Sequence, residues 1–203
     1  MKYGIDVSYC QAGFDYNQAT EESKEFCVVR IGRSKMYGGQ ELDDYFVQNI
    51  NAAKAAGMEL GIYFYSLATT EDEAANEALW LLDVMRTYLS GVGLKAGIWL
   101  DVEEESQKAL GRDKLASVIM SWVNTMNAAG HYVGVYSSYD IFTNYINTDY
   151  IPSYVPFWVG NYGNTNYYKI EHPERRILLW QYSDKGNIGG MDVDLNVMYE
   201  DGE

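Results

Sequence analysis

Short runs rich in β-branched and aromatic residues alternate with amphipathic segments along most of the chain. Such runs between turn residues predict strands, and apolar residues recurring every three or four positions predict helices. The predicted strands are residues 3–8, 26–31, 60–65, 96–102, 132–137, 156–160, 177–182 and a short run near 191–197. The predicted helices are residues 43–56, 70–89, 112–129 and 139–147.

Two features support these boundaries. Thr70 stands before the second helix with Glu73 three residues later, which is the pattern of a capping box. Residues 55–63 and residues 128–136 are similar in sequence, so the same succession of helix end, glycine and strand is predicted at both places. The repeat places Tyr63 and Tyr136 at equivalent positions near the carboxyl ends of their strands.

The order of these elements predicts an α/β barrel. Strands joined by helices pair in parallel, and eight strand candidates favour closure into a barrel over an open sheet. Helices are sparse after about residue 151, so we expect an irregular barrel that lacks helices in its C-terminal part. The length of 203 residues suits a single domain over residues 1–203.

Composition and charge narrow the range of partners. Hydrophobic residues make up 47% and charged residues 22%, which is typical of a packed core rather than of disorder. The 29 acidic residues outnumber the 15 Lys and Arg, and the net charge of −14 argues against nucleic acid and anionic membranes as partners. Cys10 and Cys27 are expected to be free thiols, because two cysteines alone form neither a disulfide framework nor a metal site.

Functional side chains are expected where the strands end, because the carboxyl ends of barrel strands form the active face of this architecture. Carboxylates recur there with aromatic residues between them, although Asp and Glu are poor strand formers and desolvation opposes their burial. The candidates in chain order are Asp6, Arg30, Tyr63, Tyr65, Asp101, Glu103, Tyr136, Trp158, Trp180, Gln181, Asp192 and Asp194.

The pair Asp101 and Glu103 is the strongest of these signals. Residues two apart on a strand point to the same face, so both carboxyl groups are expected to enter the barrel mouth. Neighbouring carboxylates push their pKa values apart, and a protonated acid beside a charged carboxylate is what glycoside hydrolysis requires. Two other interpretations remain open: an acidic strand end that runs into a solvated loop through Glu104 and Glu105, or a Mg²⁺ or Ca²⁺ site. Similarly, Asp6 is either a site residue or the cap of the next turn.

Several short motifs occur in an order that resembles family 25 glycoside hydrolases, the Chalaropsis-type lysozymes found as phage endolysins and bacterial autolysins. The main ones are GIDVS at residues 4–8, DVE at 101–103, WQYS at 180–183 and VDLNV at 193–197. Shorter matches are RIG at 30–32, GIY at 61–63, GVY at 134–136 and FWV at 157–159. The resemblance spans residues 1 to about 199, although residues 161–172 match no motif of the family.

The resemblance implies a flattened, irregular barrel that needs no cofactor or metal. It implies an N-acetylmuramidase that cleaves the β-1,4 bond between N-acetylmuramic acid and N-acetylglucosamine in peptidoglycan. Carried over by motif, Glu103 is the general acid, Asp101 is its partner, and Asp6 and Asp194 complete the acidic cluster. We favour retention assisted by the N-acetyl group of the substrate, with a nucleophilic Asp101 as the alternative.

The other candidates are assigned to substrate binding. The three tyrosines Tyr63, Tyr65 and Tyr136 are expected to bond the acetamido group or to stack on a sugar. Trp158 and Trp180 either stack in the same way or pack the barrel. Gln181, Arg30 and Asp192 complete the expected set of binding residues.

Charge and the N-terminal sequence bear on targeting. The negative net charge disfavours attraction to walls that carry anionic polymers, so we expect a separate wall-binding module or a homo-oligomer to provide affinity. No apolar run is long enough to span a bilayer, and the first residues lack the features of a signal peptide. Synthesis in the cytoplasm and release through a phage pore are therefore expected. Two other functions stay open: a non-catalytic glycan-binding barrel and a carboxylate metal protein.

Overall fold

Nine strands and seven helices account for most of residues 1–199, the part of the chain that the computed structural model describes. The strands are β1 (Lys2–Val7), β2 (Phe26–Ser34), β3 (Gln40–Leu42), β4 (Glu59–Tyr65), β5 (Ile98–Asp101), β6 (Gly134–Ser138), β7 (Phe157–Gly160), β8 (Ile177–Ile188) and β9 (Met191–Met198). The helices are α1 (Tyr16–Glu21), α2 (Phe46–Ala55), α3 (Glu71–Tyr88), α4 (Glu105–Lys108), α5 (Arg112–Ala128), α6 (Tyr139–Asn144) and α7 (Tyr167–Glu171). Residues 200–203, which the predicted domain also includes, lie outside the described part.

The sheet closes into a barrel of eight strands, as predicted. Its order is β1-β9-β8-β7-β6-β5-β4-β2, and β1 pairs with β2 to complete the ring. Strand β3 pairs only with β2 and forms a hairpin outside the ring. The helices that cover the barrel are long between β2 and β6 and short afterwards, which confirms that the C-terminal part is poor in helices.

The last strand runs in the opposite direction to its neighbours in the ring. Strand β9 runs antiparallel to both β8 and β1. The chain turns directly from β8 into β9 at Gly189 and Gly190, whose φ angles of 62° and 84° favour glycine. A tight turn of this kind joins antiparallel strands, whereas a parallel connection requires a crossover segment. The sequence pattern therefore located β9, but it made no prediction of the direction of this strand.

Two hydrophobic layers hold the barrel together. The larger layer lies between the outer face of the sheet and the helices, where Phe46, Leu81 and Trp122 are fully buried. The smaller layer fills the barrel itself around Trp99 and Trp158, whose ring centroids are 5.8 Å apart. Because large indole rings occupy the interior below them, the polar residues at the carboxyl ends of the strands face an open mouth.

The sequence pattern did not predict the shortest strand and several short helices. Strand β3 and the helices α4 and α7 have three to five residues and were not predicted, because so few residues show little hydrophobic periodicity; the six-residue helix α1 was also not predicted. Cys10 is exposed and Cys27 is buried, and both are free, as expected. Across residues 1–199, none of the helices has the length and apolar character needed to cross a membrane.

The predicted capping box at Thr70 is present at the start of α3. The Thr70 hydroxyl accepts a hydrogen bond from the Glu73 backbone N–H, and the Glu73 carboxylate accepts one from the backbone N–H of Thr70. Replacing Thr70 with Ala should lower the free energy of unfolding by about 1 kcal/mol, measured by urea denaturation. Thr87→Ala, near the other end of the same helix, should have a smaller effect, and equal effects would contradict the assigned role of the cap.

Candidate active site

The register of four adjacent strands brings a row of predicted site residues to the mouth. Tyr65 on β4 is paired with Asp101 on β5, Asp101 with Tyr136 on β6, and Tyr136 with Trp158 on β7. Partners in register project from the same face of a sheet, and Tyr136 and Trp158 belong to the layer inside the barrel. Asp101 therefore also points inward, at the end of its strand, where it is 4% exposed.

Asp6 and Asp194 reach the same mouth from the first and last strands. They are direct partners in the antiparallel pairing of β1 with β9, so their side chains project from the same face. Asp6 does not cap the following turn, because Ser8 does so, accepting a hydrogen bond from the Cys10 backbone N–H. Of the two interpretations of Asp6, the structure agrees with a place in the mouth.

A buried amide links these two carboxylates. Gln181 on β8 donates through Nε2 to Asp6 Oδ2 at 2.9 Å and to Asp194 Oδ2 at 3.3 Å. Its Oε1 accepts hydrogen bonds from the hydroxyls of Tyr136 at 2.8 Å and Tyr162 at 3.2 Å. Gln181 thus orients two acids on one side and two tyrosines on the other, and it is only 3% exposed.

Asn196 also forms a hydrogen bond with Asp6. Its Nδ2 donates to Asp6 Oδ2 at 2.7 Å, while its Oδ1 accepts a hydrogen bond from Trp158 Nε1 at 2.9 Å. Hydrogen bonds from Gln181 and Asn196 both favour the charged form of Asp6. They only partly offset burial and the nearby Asp194, which raise the pKa of Asp6 to about 7.

The other acids of the mouth also have raised pKa values. Burial, followed by the charge of Asp184, raises the pKa of Asp194 to about 6. The pKa of Asp101 is well above its usual value, because the group is buried and because Glu103 and Asp6 are close. These acids therefore retain protons at a pH where exposed carboxyl groups have lost them.

Glu103 lies just beyond the end of β5 and is half-buried at the rim of the mouth. Its pKa is raised chiefly by burial, and Asp194 and Glu104 act in the same direction. Lys108 and the Tyr136 hydroxyl oppose this shift of the pKa. The charge of Glu103 in turn contributes to the raised pKa of Asp101, so the two carboxyl groups lie close together.

Asp101 differs from its neighbours in how its oxygens are bonded. Its Oδ1 is buried and has no hydrogen-bond partner within residues 1–199. Unpaired buried acceptors are rare in folded proteins, because each loses its hydration without a compensating bond. This oxygen can therefore accept a hydrogen bond from a group that enters the mouth.

Arg30 and two tyrosines complete the wall near β2 and β4. The Arg30 side chain is held by Asp43 Oδ2, with Nε at 2.8 Å and the terminal nitrogen at 2.7 Å, and it packs over the Tyr9 ring.

Tyr63 packs edge-on against Trp158, and burial together with Asp6 raises the pKa of its hydroxyl. The Tyr65 hydroxyl donates a hydrogen bond to Glu104. Glu104 is therefore held at the wall, whereas Glu105 is 87% exposed, so the interpretation of this stretch as a solvated loop fits Glu105 but not Glu104.

Two predicted binding residues do not present their rings to the open mouth. Trp158 is 1% exposed and packs inside the barrel, which was one of the two roles expected of it. Trp180 precedes the inward-pointing Gln181, so it projects outward, where its Nε1 donates to the carbonyl of Asn161 at 2.7 Å. Asp192, by contrast, shares the face of Asp194 on β9, and it is exposed near the β8–β9 turn, where it accepts a hydrogen bond from Asn187. Alternation of side chains along β8 explains why Trp180 and Gln181 separate.

Sequence reasoning did not single out Asn196, Tyr162 and Lys108 as site residues. A signal for Asn196 was available, because it stands two positions after Asp194 on one strand and so shares its face. Tyr162 falls in the stretch that matched no motif, and Lys108 lies on a helix of four residues. Among residues 1–199, no cluster of three or more His, Cys, Asp or Glu side chains is arranged to hold a metal ion.

The bonds of Gln181 lead to a measurable expectation. Replacing Gln181 with Met should raise the pKa of Asp6 above about 7, because the variant loses a donor that stabilises the carboxylate. Carbon-detected NMR titration of the carboxyl groups measures this shift. Gln48→Met, at an exposed position on α2, is the matched control and should leave the pKa of Asp6 unchanged. An unchanged or lower pKa in Gln181→Met would contradict the role of the bond.

Comparison with known proteins identifies the family. Residues 5–191 match the model of Glycosyl hydrolases family 25. Lysozyme-like protein 5 of Caenorhabditis elegans is 29% identical over 151 residues, which cover 71% of this chain and 68% of that protein. Lysozyme M1 of Streptomyces globisporus is 25% identical over 208 aligned positions, which cover 95% of this chain and 66% of that protein.

A solved structure extends the comparison to the fold. The modular autolysin LytC from Streptococcus pneumoniae superposes with a TM-score of 0.82 and 26% sequence identity. The match covers 98% of this chain but only 46% of the autolysin. Because the family model covers residues 5–191 and the barrel is shared, this chain is a glycoside hydrolase and belongs to family 25 of the glycosyl hydrolases.

Proposed function

We propose that this chain is an N-acetylmuramidase, a lysozyme that cleaves the β-1,4 bond between N-acetylmuramic acid and N-acetylglucosamine in peptidoglycan. The observation that carries the proposal is the convergence of Asp6, Asp101, Glu103 and Asp194 on one barrel mouth, each with a raised pKa. Glycoside hydrolysis needs a carboxylic acid that is still protonated near neutral pH, and such a mouth supplies it. The names of the related proteins, which are lysozymes and an autolysin, support the same substrate class.

Glu103 is the general acid in this proposal. Its place at the rim gives it access to the glycosidic oxygen, and its raised pKa keeps a proton available. In the first step the proton of Glu103 moves to the oxygen of the leaving N-acetylglucosamine as the bond to the anomeric carbon breaks. In the second step the Glu103 carboxylate takes a proton from the water that attacks the anomeric carbon.

Asp101 orients the acetamido group of the muramic acid ring. The carbonyl oxygen of that group attacks the anomeric carbon, and a cyclic oxazolinium forms as the leaving sugar departs. The unpartnered Oδ1 of Asp101 accepts a hydrogen bond from the acetamido N–H, which positions the group and stabilises the positive charge that develops. Two displacements at the same carbon give overall retention of configuration.

Asp6 and Asp194 act on the reaction through charge. Asp194 raises the pKa of Glu103, and Gln181 holds Asp194 and Asp6 together. The hydroxyls of Tyr63, Tyr65 and Tyr136 line the mouth and are the proposed contacts for the sugar rings.

Digestion of purified peptidoglycan followed by mass spectrometry tests the proposed bond specificity. N-acetylmuramic acid at the new reducing ends is the expected result. N-acetylglucosamine at those ends would contradict the muramidase assignment. Binding of walls without release of any fragment would favour the alternative, a non-catalytic glycan-binding barrel.

A second substrate separates the two mechanisms. Glycan in which the muramic acid amine carries no acetyl group lacks the internal nucleophile, so substrate assistance predicts no cleavage of it. Normal cleavage, together with a sugar trapped on Asp101 by a 2-fluoro glycoside, would support the double-displacement mechanism instead.

Wall targeting by a separate module or by a homo-oligomer is also proposed, because the net charge of −14 opposes attraction to anionic walls. This chain spans 46% of a pneumococcal autolysin that is described as modular. The isolated chain should therefore bind purified walls weakly at low salt, and tight binding would contradict this proposal. Release from the cytoplasm through a phage pore remains the proposed route to the wall.

A further inference from the structure

A bulge in β2 turns two arginines toward the same side of the barrel. The register of β2 against β4 shifts between Arg30 and Gly32, so that Arg30 pairs with Tyr63 and Arg33 pairs with Tyr65. Gly32 faces the helices, since a Cβ atom there would lie 2.7 Å from the Trp80 ring. In a regular strand, residues three apart point to opposite faces. The extra residue of the bulge shifts this alternation by one position, so Arg30 and Arg33 point to the same face.

The bulge places Arg33 beside a pocket next to the acidic mouth. The pocket has a volume of about 740 Å³ and lies between the β2–β3 hairpin and the ends of β4 and β5. We call it the hairpin pocket; its wall includes Arg33, Lys35, Met36, Tyr65, Leu67 and Glu104. Because Arg33 is in register with Tyr65 and Tyr65 with Asp101, Arg33 stands two strand spacings, or about 10 Å, from Asp101.

The hairpin pocket concentrates cationic side chains in an acidic protein. Arg30, Arg33 and Lys35 line it with the carboxylates Glu41 and Glu104, and Asp43 neutralises Arg30, so the local charges balance, whereas the whole chain carries a net charge of −14. Two exposed cationic side chains, Arg33 and Lys35, are therefore available to an anionic ligand group at the edge of the mouth.

Arg33 and Lys35 are the cations that such a group can reach. Arg30 is held against Asp43, and its side chain is 13% exposed. Arg33 contacts Glu41 Oε1 through Nε at 2.7 Å, its side chain is 48% exposed, and its terminal nitrogens carry four further N–H donors. Lys35 is exposed at the start of the hairpin turn.

We propose that the hairpin pocket binds a free carboxylate of the stem peptide attached to the muramic acid residue that lies in the mouth. This inference rests on the proposed function. The glycan of stem-bearing peptidoglycan is neutral, because each lactyl carboxyl group is an amide there. The stem peptide leaves the muramic acid through this lactyl group at C3, two ring carbons from the anomeric carbon of the scissile bond. The apolar Met36 and Leu67 suit a peptide, and the carboxylates Glu41 and Glu104 repel a polyanionic wall polymer.

The test compares two substrates of the same glycan. One is peptidoglycan with intact, uncrosslinked stems, and the other is the same peptidoglycan after the carboxyl groups of its stems have been converted to amides. The double variant Arg33→Gln, Lys35→Gln should lose about 10- to 100-fold in kcat/KM on the substrate with free carboxylates and keep the wild-type value on the amidated substrate. The matched control is Arg86→Gln, Lys54→Gln, which removes the same charge from exposed positions on α3 and α2 and should alter neither value.

Each other outcome overturns the inference. Equal losses on both substrates would mean that the two side chains serve the fold or the glycan site, and thermal unfolding of the variant distinguishes these causes. No loss on either substrate would mean that the pocket binds nothing during turnover. A loss confined to walls that retain teichoic polymers would assign the pocket to phosphate. If the wild-type chain cleaves neither substrate, the proposed function itself fails.

Discussion

Replacing Glu103 by Gln is expected to lower the rate of glycan cleavage by about 10²–10⁴-fold, because the amide carries no transferable proton. The carboxyl group is half-buried among acids that raise its pKa, so it is the group at the rim that can hold a proton and still reach the substrate. The variant should fold normally, since Gln keeps the size of the side chain. Release of reducing ends from purified peptidoglycan measures the rate, and circular dichroism checks the fold.

Glu105→Gln is the matched control for this experiment. Glu105 stands two residues further along the chain, and its side chain is 87% exposed at the start of α4. The same chemical change there should leave the rate within about twofold of the wild-type value, because surface substitutions have small effects. A Glu103→Gln variant as active as the Glu105→Gln control would remove Glu103 from the reaction.

Replacing Asp101 by Asn is expected to lower activity by about 10²-fold or more and, at the same time, to stabilise the protein at neutral pH. Activity falls because the amide no longer supplies a charged acceptor to orient the acetamido group. Stability rises because the variant no longer brings a buried charge close to Glu103 and Asp6. A gain of about 1 kcal/mol corresponds to a rise in Tm of about 2–4 °C.

The gain in stability should depend on pH in a defined direction. Because its pKa is raised in the folded state, the carboxyl group of Asp101 binds its proton more tightly there than in the unfolded chain. Its favourable contribution is therefore complete below the unfolded pKa of about 3.9 and is lost as the pH rises through the folded pKa. The Tm of Asp101→Asn should exceed that of the wild type at pH 8 and approach it at pH 4.

Differential scanning calorimetry at these two pH values measures the effect. Asp192→Asn is the matched control, since Asp192 is exposed near the β8–β9 turn, whereas Asp101 is buried. It should shift Tm equally little at both pH values. A lower Tm for Asp101→Asn at pH 8 would show that the charged group stabilises the fold, contrary to expectation.

Much of the barrel could be predicted from the sequence, because its strands and long helices each fill a complete hydrophobic period. The eight strands of the ring and the helices α2, α3, α5 and α6 lie where the pattern placed them. Periodicity carries no information about strand direction, however. The antiparallel course of β9 depends on the two glycines that replace a crossover helix.

The candidate site was predictable where a residue ends a strand and less so elsewhere. Asp6, Asp101 and Tyr136 follow from the rule that barrel strands present their carboxyl ends to the active face. Trp180 and Gln181 are adjacent, and only their register relative to β9 and β7 decides which of them points inward. The placement of Arg33 depends on a bulge, which a strand pattern does not indicate.

The pairing of β1 with β9 also ties the assembly of the mouth to the order of synthesis. Asp6 is on the first strand of the barrel and Asp194 on its last, and they become neighbours only when these two strands pair. During synthesis the chain emerges from the N-terminus onward, so the four carboxyl groups cannot come together until β9 has left the ribosome. A nascent barrel that lacks β9 therefore carries Asp101 and Glu103 without the opposing wall of the mouth. If the four acids act together as proposed, hydrolytic competence is expected only after β9 has paired, and not during the synthesis of the earlier strands.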